Sequence, residues 1–331
     1  MPLHDTHYQH WDGVHLGVWS RRLAIARNGL TACLRNKWLR HVVVLCWGTA
    51  LIMTAFLFIV GQLLVADSIV VQWIGNFNPG LQSFARFLTT WLEQHPEISV
   101  RTTQNVLFYF FCTYLLRASI FVLGMAIPIL ITRDLASNAI IIYSSKAVSR
   151  GDYLLGKFST AFGLMALTWL GPVCAAWFLG NLLTPDWRFF WHARTALWHV
   201  LVFGLSSMTL LSLIALGVSA LAIKEKTTTA IWYIWWIVGG VVAPIAIHTQ
   251  PWLQHLSFNY NLNQIALAVF HPGDDLTAAQ DSIPVLGDML RNIRPQTMTA
   301  LNTPTFWGAV FWSLLMVGLA ALIIRKRVKP E

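Results

Sequence analysis

The sequence predicts an all-α integral membrane protein with six transmembrane helices, an amphipathic helix before the first and a short surface helix between the second and third. Three observations predict this fold class. Of the 331 residues, 56% are hydrophobic and only 11% are charged, a balance that excludes an ordinary soluble domain. Six apolar runs are each long enough to cross the hydrocarbon core of a bilayer. A patterned polar stretch separates the second run from the third.

The six apolar runs define a transmembrane domain over residues 42–324. The predicted spans cover residues 42–66, 106–132, 158–183, 195–223, 230–248 and 305–324. They leave outer loops at 67–105, 184–194 and 249–304, an inner loop at 133–157, an N-terminal segment at 1–41 and a basic tail at 325–331. Within the last outer loop, Leu256–Phe270 is apolar enough to predict a helix that rests in the outer leaflet.

Lysine and arginine are distributed unevenly between the two sides of these spans. The side that carries both termini and the loop 133–157 has sixteen of them, and the other side has six. Because basic residues mark the cytoplasmic side, we expect both termini to be cytoplasmic in a multi-pass protein of the cell (inner or cytoplasmic) membrane. The net charge of +9 then reflects topology, and no nucleic acid is expected as a partner.

The segment from Val14 to His41 is amphipathic. Apolar residues recur every three or four positions, while basic residues stay off that stripe; the stripe consists of Trp19, Leu23, Ala26, Leu30 and Leu34. This pattern is typical of a helix lying in a membrane interface, with a possible break at Asn28-Gly29. The histidines before it lack the partners of a metal site, so we expect a polar terminus there; they are His4, His7 and His10.

The loop 133–157 reads RDLASNAIIIYSSKAVSRGDYLLGK. Asp134 to Lys146 contains neither glycine nor proline and predicts a short helix on the membrane surface. Ser149 precedes Asp152 by three residues, the spacing of a capping box that opens the next helix. The run Gly151–Lys157 matches a phosphate-binding G-x4-G-K spacing, but Phe158 occupies the position that needs Ser or Thr, and no strand precedes it. We therefore expect no nucleotide site here.

Residues of this loop resemble the loop between spans two and three of type-2 ABC exporter permeases. The family often has an acidic residue after the second span, followed by a Ser-x-Pro-x-Ser-Arg-x-x-Tyr-x-x-Gly-Lys-like run. The matching residues here are Asp134, Ser137, Ser144, Ser149-Arg150, Asp152-Tyr153 and Gly156-Lys157, with Ala147 where proline is usual. The resemblance implies a coupling helix that is received by a separate cytoplasmic ATPase.

The resemblance also implies site residues and partners. The residues implied in ATPase coupling are Arg133, Asp134, Ser137, Asn138, Tyr143, Ser144, Lys146, Ser149, Arg150 and Asp152. The N-terminal helix would be an elbow helix beside the ATPase, carrying Trp19, Arg21, Arg22, Leu23 and Arg27; a plain basic anchor is the alternative. The implied partners are two ATPase copies, which would bind ATP and magnesium, and a second permease copy or sister permease. No catalytic, cofactor or metal residue is expected on this chain.

Three residues are candidates for a pathway through the membrane: Arg117, His199 and Ser206. An intramembrane charge suggests function, but Arg117 lies about 24 Å along a helix from Arg133, so it could also snorkel to the outer interface. His199 has only His248 as a partner for a metal or haem. The uncharged later spans favour an amphiphile, lipid or apolar peptide as substrate.

Two other function classes predict sequence features that differ from those of an ABC exporter permease. A secondary transporter would show ionisable residues at mid-membrane and an inverted repeat, and an intramembrane enzyme would show clustered carboxylates or histidines inside its spans. The sequence shows none of these patterns. A non-transporting membrane platform of an ABC-type envelope machine has the same sequence features as a permease. The outer loops 67–105 and 249–304 are large enough to bind a partner on the outer face.

Overall fold

The computed structural model describes residues 17–63, 72–73, 76, 90, 96–139, 149–184, 187–246, 250–282, 301 and 304–328. This part of the chain is helical and contains no strand. Six of its helices are long and apolar enough to cross a membrane, which is the architecture of a multi-pass membrane protein. The N-terminal histidines and His248 lie outside the described residues.

The helices are numbered here in chain order. The first four are α1 (Val18–Leu34), α2 (Lys37–Leu63), α3 (Pro96–Ile127, continued by Pro128–Thr132 and Arg133–Ala136) and α4 (Arg150–Met165, continued by Ala166–Leu170 and Gly171–Leu182). The others are α5 (Trp187–His192), α6 (Arg194–Leu221), α7 (Glu225–Ala246), α8 (Phe258–Phe270), α9 (Pro272–Ser282) and α10 (Phe306–Arg327), with a 3₁₀ turn at Pro251–Leu256.

Two spans form the centre of the bundle. In the most apolar window of each span, 72% of the residues of the α3 span and 61% of those of the α6 span are buried, against 17% for α7. The largest buried side chains are aromatic and lie mainly between these helices and their neighbours: Trp169, Trp232, Phe108, Phe203 and Phe270. The apolar outer faces of α2, α7 and α10 remain exposed, as expected for helices that face lipid.

Helix α1 differs from the prediction at Asn28-Gly29. The helix runs unbroken from Val18 to Leu34, and the chain turns at Arg35-Asn36 instead. Gly29 is buried, and a Cβ at this position would overlap the side chain of Thr160 on α4. The glycine therefore allows two helices to approach closely and does not end one.

Helix α3 begins at Pro96, ten residues before the predicted start of the second span. The polar residues that made this stretch resemble a loop are buried in side-chain pairs. Gln104 donates to the Asn181 side chain over 2.8 Å, and Asn105 donates to the Asp275 carboxylate over 2.9 Å. Buried polar groups with partners are compatible with a packed helix.

Near its end, α3 changes to π-helical geometry over Pro128–Thr132. The Ser219 hydroxyl of α6 accepts from the Ile131 amide over 2.8 Å and donates to the Ile127 carbonyl over 2.7 Å. These two backbone groups would pair with each other in an α-helix, so the hydroxyl is inserted into the helical hydrogen-bond ladder. Thr132 extends the contact by donating to the Ser219 carbonyl over 2.7 Å.

The region after α7 is more helical and more buried than predicted. Helix α8 lies against α3, α6, α7 and α10, and one whole face of it is buried. The predicted helix resting in the outer leaflet is therefore part of the bundle, because Phe258, Leu262 and Phe270 pack against other helices and not against lipid. The loop predicted at 184–194 likewise contains a short helix, α5.

Candidate functional site

The residues matched by the family resemblance that the structure describes lie at one end of the bundle, called here the basic end. It comprises α1, the end of α3, the start of α4, the start of α7 and the end of α10. The predicted capping box at Ser149 is confirmed: Asp152 donates its amide to the Ser149 hydroxyl over 3.1 Å, and the Ser149 amide donates to the Asp152 carboxylate over 3.3 Å. The same carboxylate accepts from Arg22 of α1 over 2.6 Å. The first turn of α4 is thus tied to α1.

A second carboxylate joins α3 to α4. Asp134 accepts a hydrogen bond of 2.7 Å from the Tyr153 hydroxyl and lies 2.8 Å from the Lys157 ammonium. Lys157 also donates to the Ile129 carbonyl over 3.1 Å. The Lys157 and Asp134 side chains are only 8% and 15% exposed, and ion pairs that are withdrawn from water in this way depend strongly on having both partners.

Two arginines complete the connections at the basic end. Arg133 makes a two-pronged contact with Glu225 at the start of α7, with distances of 2.9 and 3.1 Å. Arg150 donates to the Ile324 carbonyl near the end of α10 over 3.0 Å, and its Nε is buried without a partner among the described residues. The segments that flank residues 140–148 are therefore linked to α1, α7 and α10.

Close helix packing supports these polar contacts. At Gly156 of α4 a Cβ would lie 2.7 Å from the side chain of Ile25 on α1, so only glycine fits without a shift. Thr160, one turn further along, donates to the Gly156 carbonyl and faces Gly29. Helix α1 thus packs directly on the start of α4, with its buried face at Gly29 and Cys33.

The predicted surface helix over Asp134–Lys146 is interrupted. The helix that continues from α3 ends at Ala136, and Ser137 and Asn138 form an exposed turn in which Asn138 has a positive φ of 54°. Asparagine tolerates this left-handed conformation better than most residues, which explains the stop without glycine or proline. Three predicted coupling residues lie outside the described residues: Tyr143, Ser144 and Lys146.

The predicted elbow residues divide between two faces of α1. Arg22 contacts Asp152 and also stacks over the Trp19 ring at 4.7 Å. Trp19 and Leu23 are 78% and 69% exposed. Arg27 is also exposed, and Arg21 is partly buried. The apolar stripe of the sequence is therefore only partly the packed face, and its first half is free to contact a membrane surface.

The three predicted pathway residues are not brought together. Arg117 lines a cavity between α3, α7 and α8. His199 packs edge-on against Phe270. The Ser206 hydroxyl donates to the carbonyl of Phe203 in its own helix. The described part of the chain contains no group of three or more His, Cys, Asp or Glu residues that could hold a metal ion.

Several residues at the basic end were not singled out from the sequence. Ser219, Thr132 and Thr228 form a buried hydroxyl cluster, and Glu225 is the partner of Arg133. Pro128 was the available signal, because a proline inside a span leaves a carbonyl unpaired and favours a helix irregularity. No sequence signal identifies the partner, since Ser219 lies about ninety positions away and is one of several hydroxyls in α6.

Neither a scan of protein-family models nor a search of curated proteins finds a match for this chain. What the chain does must therefore be inferred from its fold and from the geometry of the basic end.

Proposed function

We propose that this chain is the transmembrane permease subunit of an ATP-driven ABC transporter of the type-2 exporter kind. In this proposal the segment 133–157 is the coupling segment, α1 is the elbow helix, and the basic end faces the cytoplasm. A separate ATPase subunit binds there in two copies, and the permease pairs with a second copy or a sister chain.

The observation that carries the proposal is the convergence of Asp134, Tyr153 and Lys157 into one buried contact. These residues are dispersed through the stretch that resembles the family loop, and they meet at its base. A loop that transmits the movement of an ATPase to the spans must keep its ends fixed to those spans. The Asp134 cluster joins α3 to α4, and the Asp152–Arg22 pair joins α4 to α1, so both flanks of residues 140–148 are anchored to the bundle.

The mechanism we infer is mechanical. When the ATPase subunits close on ATP, they press on the coupling segment, and the anchored ends move α3 and α4 relative to their neighbours as rigid bodies. Arg133–Glu225 and Arg150–Ile324 extend the same movement to α7 and α10. ATP hydrolysis itself belongs to the partner subunit, and this chain supplies the path for substrate.

The test is purification from native membranes in mild detergent, with ATP hydrolysis and partner identity as readouts. Ser137 and Asn138 are exposed, and among the described residues they bond only within their own turn, so a Ser137→Arg, Asn138→Asp double variant should alter docking and leave the fold intact. We expect the wild type to retain an ATP-hydrolysing partner and the double variant to lose it. Arg194→Glu, an exposed charge change at the start of α6 and far from the basic end, is the matched control. A wild type that retains no ATPase would refute the proposal.

A further inference from the structure

A cavity of about 570 Å³ with a partly polar lining lies between α3, α7 and α8, beside the last turns of α7. Its Arg117 lies about 24 Å along α3 from Arg133. Among the described residues the polar lining of the cavity consists of Arg117 with amide and hydroxyl side chains and includes no acidic residue, and Leu116, Gly240, Ala243 and Pro244 complete the wall. This cavity is called here the arginine cavity; its polar lining residues are Thr113, Arg117, Gln254, Ser257, Asn259, Tyr260 and Asn263.

Several donors of the arginine cavity have no acceptor among the described residues. Arg117 and Asn259 make no side-chain hydrogen bond or ion pair within the described part of the chain. Asn263 uses its side-chain oxygen to accept from Tyr109, which leaves its NH₂ group for another partner. Gln254 is 3% exposed, and its side-chain oxygen has no partner among the described residues; rotation of this amide would present a donor instead. A positive charge surrounded by unused N–H donors is the environment that suits an anion.

An apolar groove of about 540 Å³ lies on the other side of α7, between α6, α7 and α10. Its walls carry Leu, Ile, Val, Met and Trp side chains, and along α7 it extends from Ile231 to Ala243, about 18 Å. It therefore runs along the helix, across the depth of the span. Both cavities fall in the size range of about 300–1,000 Å³ that is usual for small-molecule sites.

The two cavities are adjacent, with Ala243 and Ser257 lining both of them. Small residues separate them: Gly239 lets α7 approach Ser257, and a Cβ on Gly240 would meet no atom within 4 Å. Gly239 and Ser257 are in close contact between the two cavities, so a hydrocarbon chain that joins them has to cross the open side of α7 at Gly240. The end at Arg117 is polar and cationic, and the remainder is apolar.

We propose that the two cavities together form a binding site for one anionic phospholipid, with its phosphate on Arg117 and an acyl chain in the apolar groove. The site opens on the most exposed span, α7, so a lipid can enter sideways from the bilayer. Because none of the described lining residues carries a carboxylate, the ammonium of a zwitterionic lipid finds no partner among them, whereas an anionic head group neutralises Arg117. This inference does not depend on the ABC proposal.

The test is native mass spectrometry of the detergent-purified chain, titrated separately with phosphatidylglycerol and phosphatidylcholine. We expect the wild type to bind phosphatidylglycerol at least tenfold more tightly, and Arg117→Gln to bind both lipids equally. Gly240→Leu adds bulk at the passage, where a Cβ would meet no atom within 4 Å, and should remove tight binding while Arg117 stays in place. Glycerol phosphate, which has no acyl chains, should not displace the bound lipid.

Two matched variants control for charge and bulk. Arg101→Gln removes an exposed arginine from the same helix outside the cavity, and Gly318→Leu fills open space on α10; both should keep the wild-type preference. Equal affinity for the two lipids in the wild type, or an unchanged preference in Arg117→Gln, would overturn the proposal and leave Arg117 as a snorkelling side chain. A dimer without bound lipid would overturn it as well and assign the groove to a second copy.

Discussion

Replacing Lys157 by methionine should destabilise the basic end strongly. The substitution keeps the length of the side chain and removes the ammonium that lies 2.8 Å from Asp134 and 3.1 Å from the Ile129 carbonyl. Breaking a buried ion pair from one side costs about 3–5 kcal/mol, because a desolvated charge is left unpaired. In this variant Asp134 still accepts a hydrogen bond from the Tyr153 hydroxyl and remains partly exposed to water. We therefore expect a loss at the lower end of this range, about 3 kcal/mol.

The reasoning is tested by a double-mutant cycle. Asp134→Asn on the Lys157→Met background removes the stranded charge, and its amide oxygen can still accept from Tyr153. The double variant should therefore be more stable than Lys157→Met alone, which requires a coupling energy larger than the cost of Asp134→Asn by itself. The assay is equilibrium unfolding in mixed micelles, followed by tryptophan fluorescence.

An exposed ion pair at the same end provides the control. Arg133 and Glu225 are 50% and 48% exposed, so Arg133→Gln should cost no more than about 1 kcal/mol. Equal losses for Lys157→Met and Arg133→Gln, or additive losses in the cycle, would refute the view that Asp134 and Lys157 form a buried, coupled pair.

Three further predictions concern packing, the irregular helix and pH. Ser219→Ala should lower the free energy of unfolding by about 2–3 kcal/mol, because it leaves buried backbone groups of α3 without a hydrogen-bond partner. Ser206→Ala removes an exposed hydroxyl from the same helix and should change the free energy of unfolding by no more than about 0.5 kcal/mol. Both are measured in the same unfolding assay. Gly156→Leu should drive α1 from α4 through contact with Ile25, and faster proteolysis of α1 would report it. Burial raises the pKa of the Asp275 carboxyl, so the folded state binds this proton more tightly than the unfolded state. The free energy of unfolding should therefore fall as pH rises from about 4 through the folded pKa. Asp275→Asn should flatten the dependence of melting temperature on pH.

Each of these predictions has a contradicting result. A neutral Ser219→Ala would mean that the π-helical turn is held by Pro128 alone. Unchanged proteolysis in Gly156→Leu would mean that the contact between α1 and α4 is loose enough to absorb a leucine. If the melting temperature of Asp275→Asn depends on pH as in the wild type, this carboxyl is not the titrating group. The charges of Arg101, His271 and Asp274 also influence the pKa of Asp275.

The fold class could be predicted from the sequence because it depends on length and hydropathy, which are local. Six apolar runs and six candidate spans agree for this reason. The predicted start of α3 was wrong because Gln104 and Asn105 are polar and their sequence neighbourhood resembles a loop. Their hydrogen-bond partners, which offset the cost of burial, lie far away in the sequence. The predicted break at Gly29 was wrong because a glycine signals either a helix end or a close approach, and the neighbouring helix decides which.

The candidate site could be predicted only where its contacts are local. The capping box links residues three apart and follows from spacing alone. The Asp134–Lys157 and Arg22–Asp152 contacts join residues 23 and 130 positions apart, and no periodicity connects them. The basic end therefore becomes visible as one network only when the helices are packed.

The coupling proposal is tested most directly by crosslinking from the exposed turn. The four native cysteines are buried or partly buried, and burial raises the pKa of the Cys33 thiol to about 11, so a thiol introduced by Ser137→Cys is the accessible one for a photoactivated crosslinker. Trp187→Cys, exposed at the opposite end, is the matched control. In native membranes we expect an ATP-hydrolysing subunit to be captured from position 137 and not from position 187. Capture of the ATP-hydrolysing subunit from position 187 alone would contradict the proposal. Failure to capture it from position 137, although it co-purifies with the chain, would contradict the proposal as well.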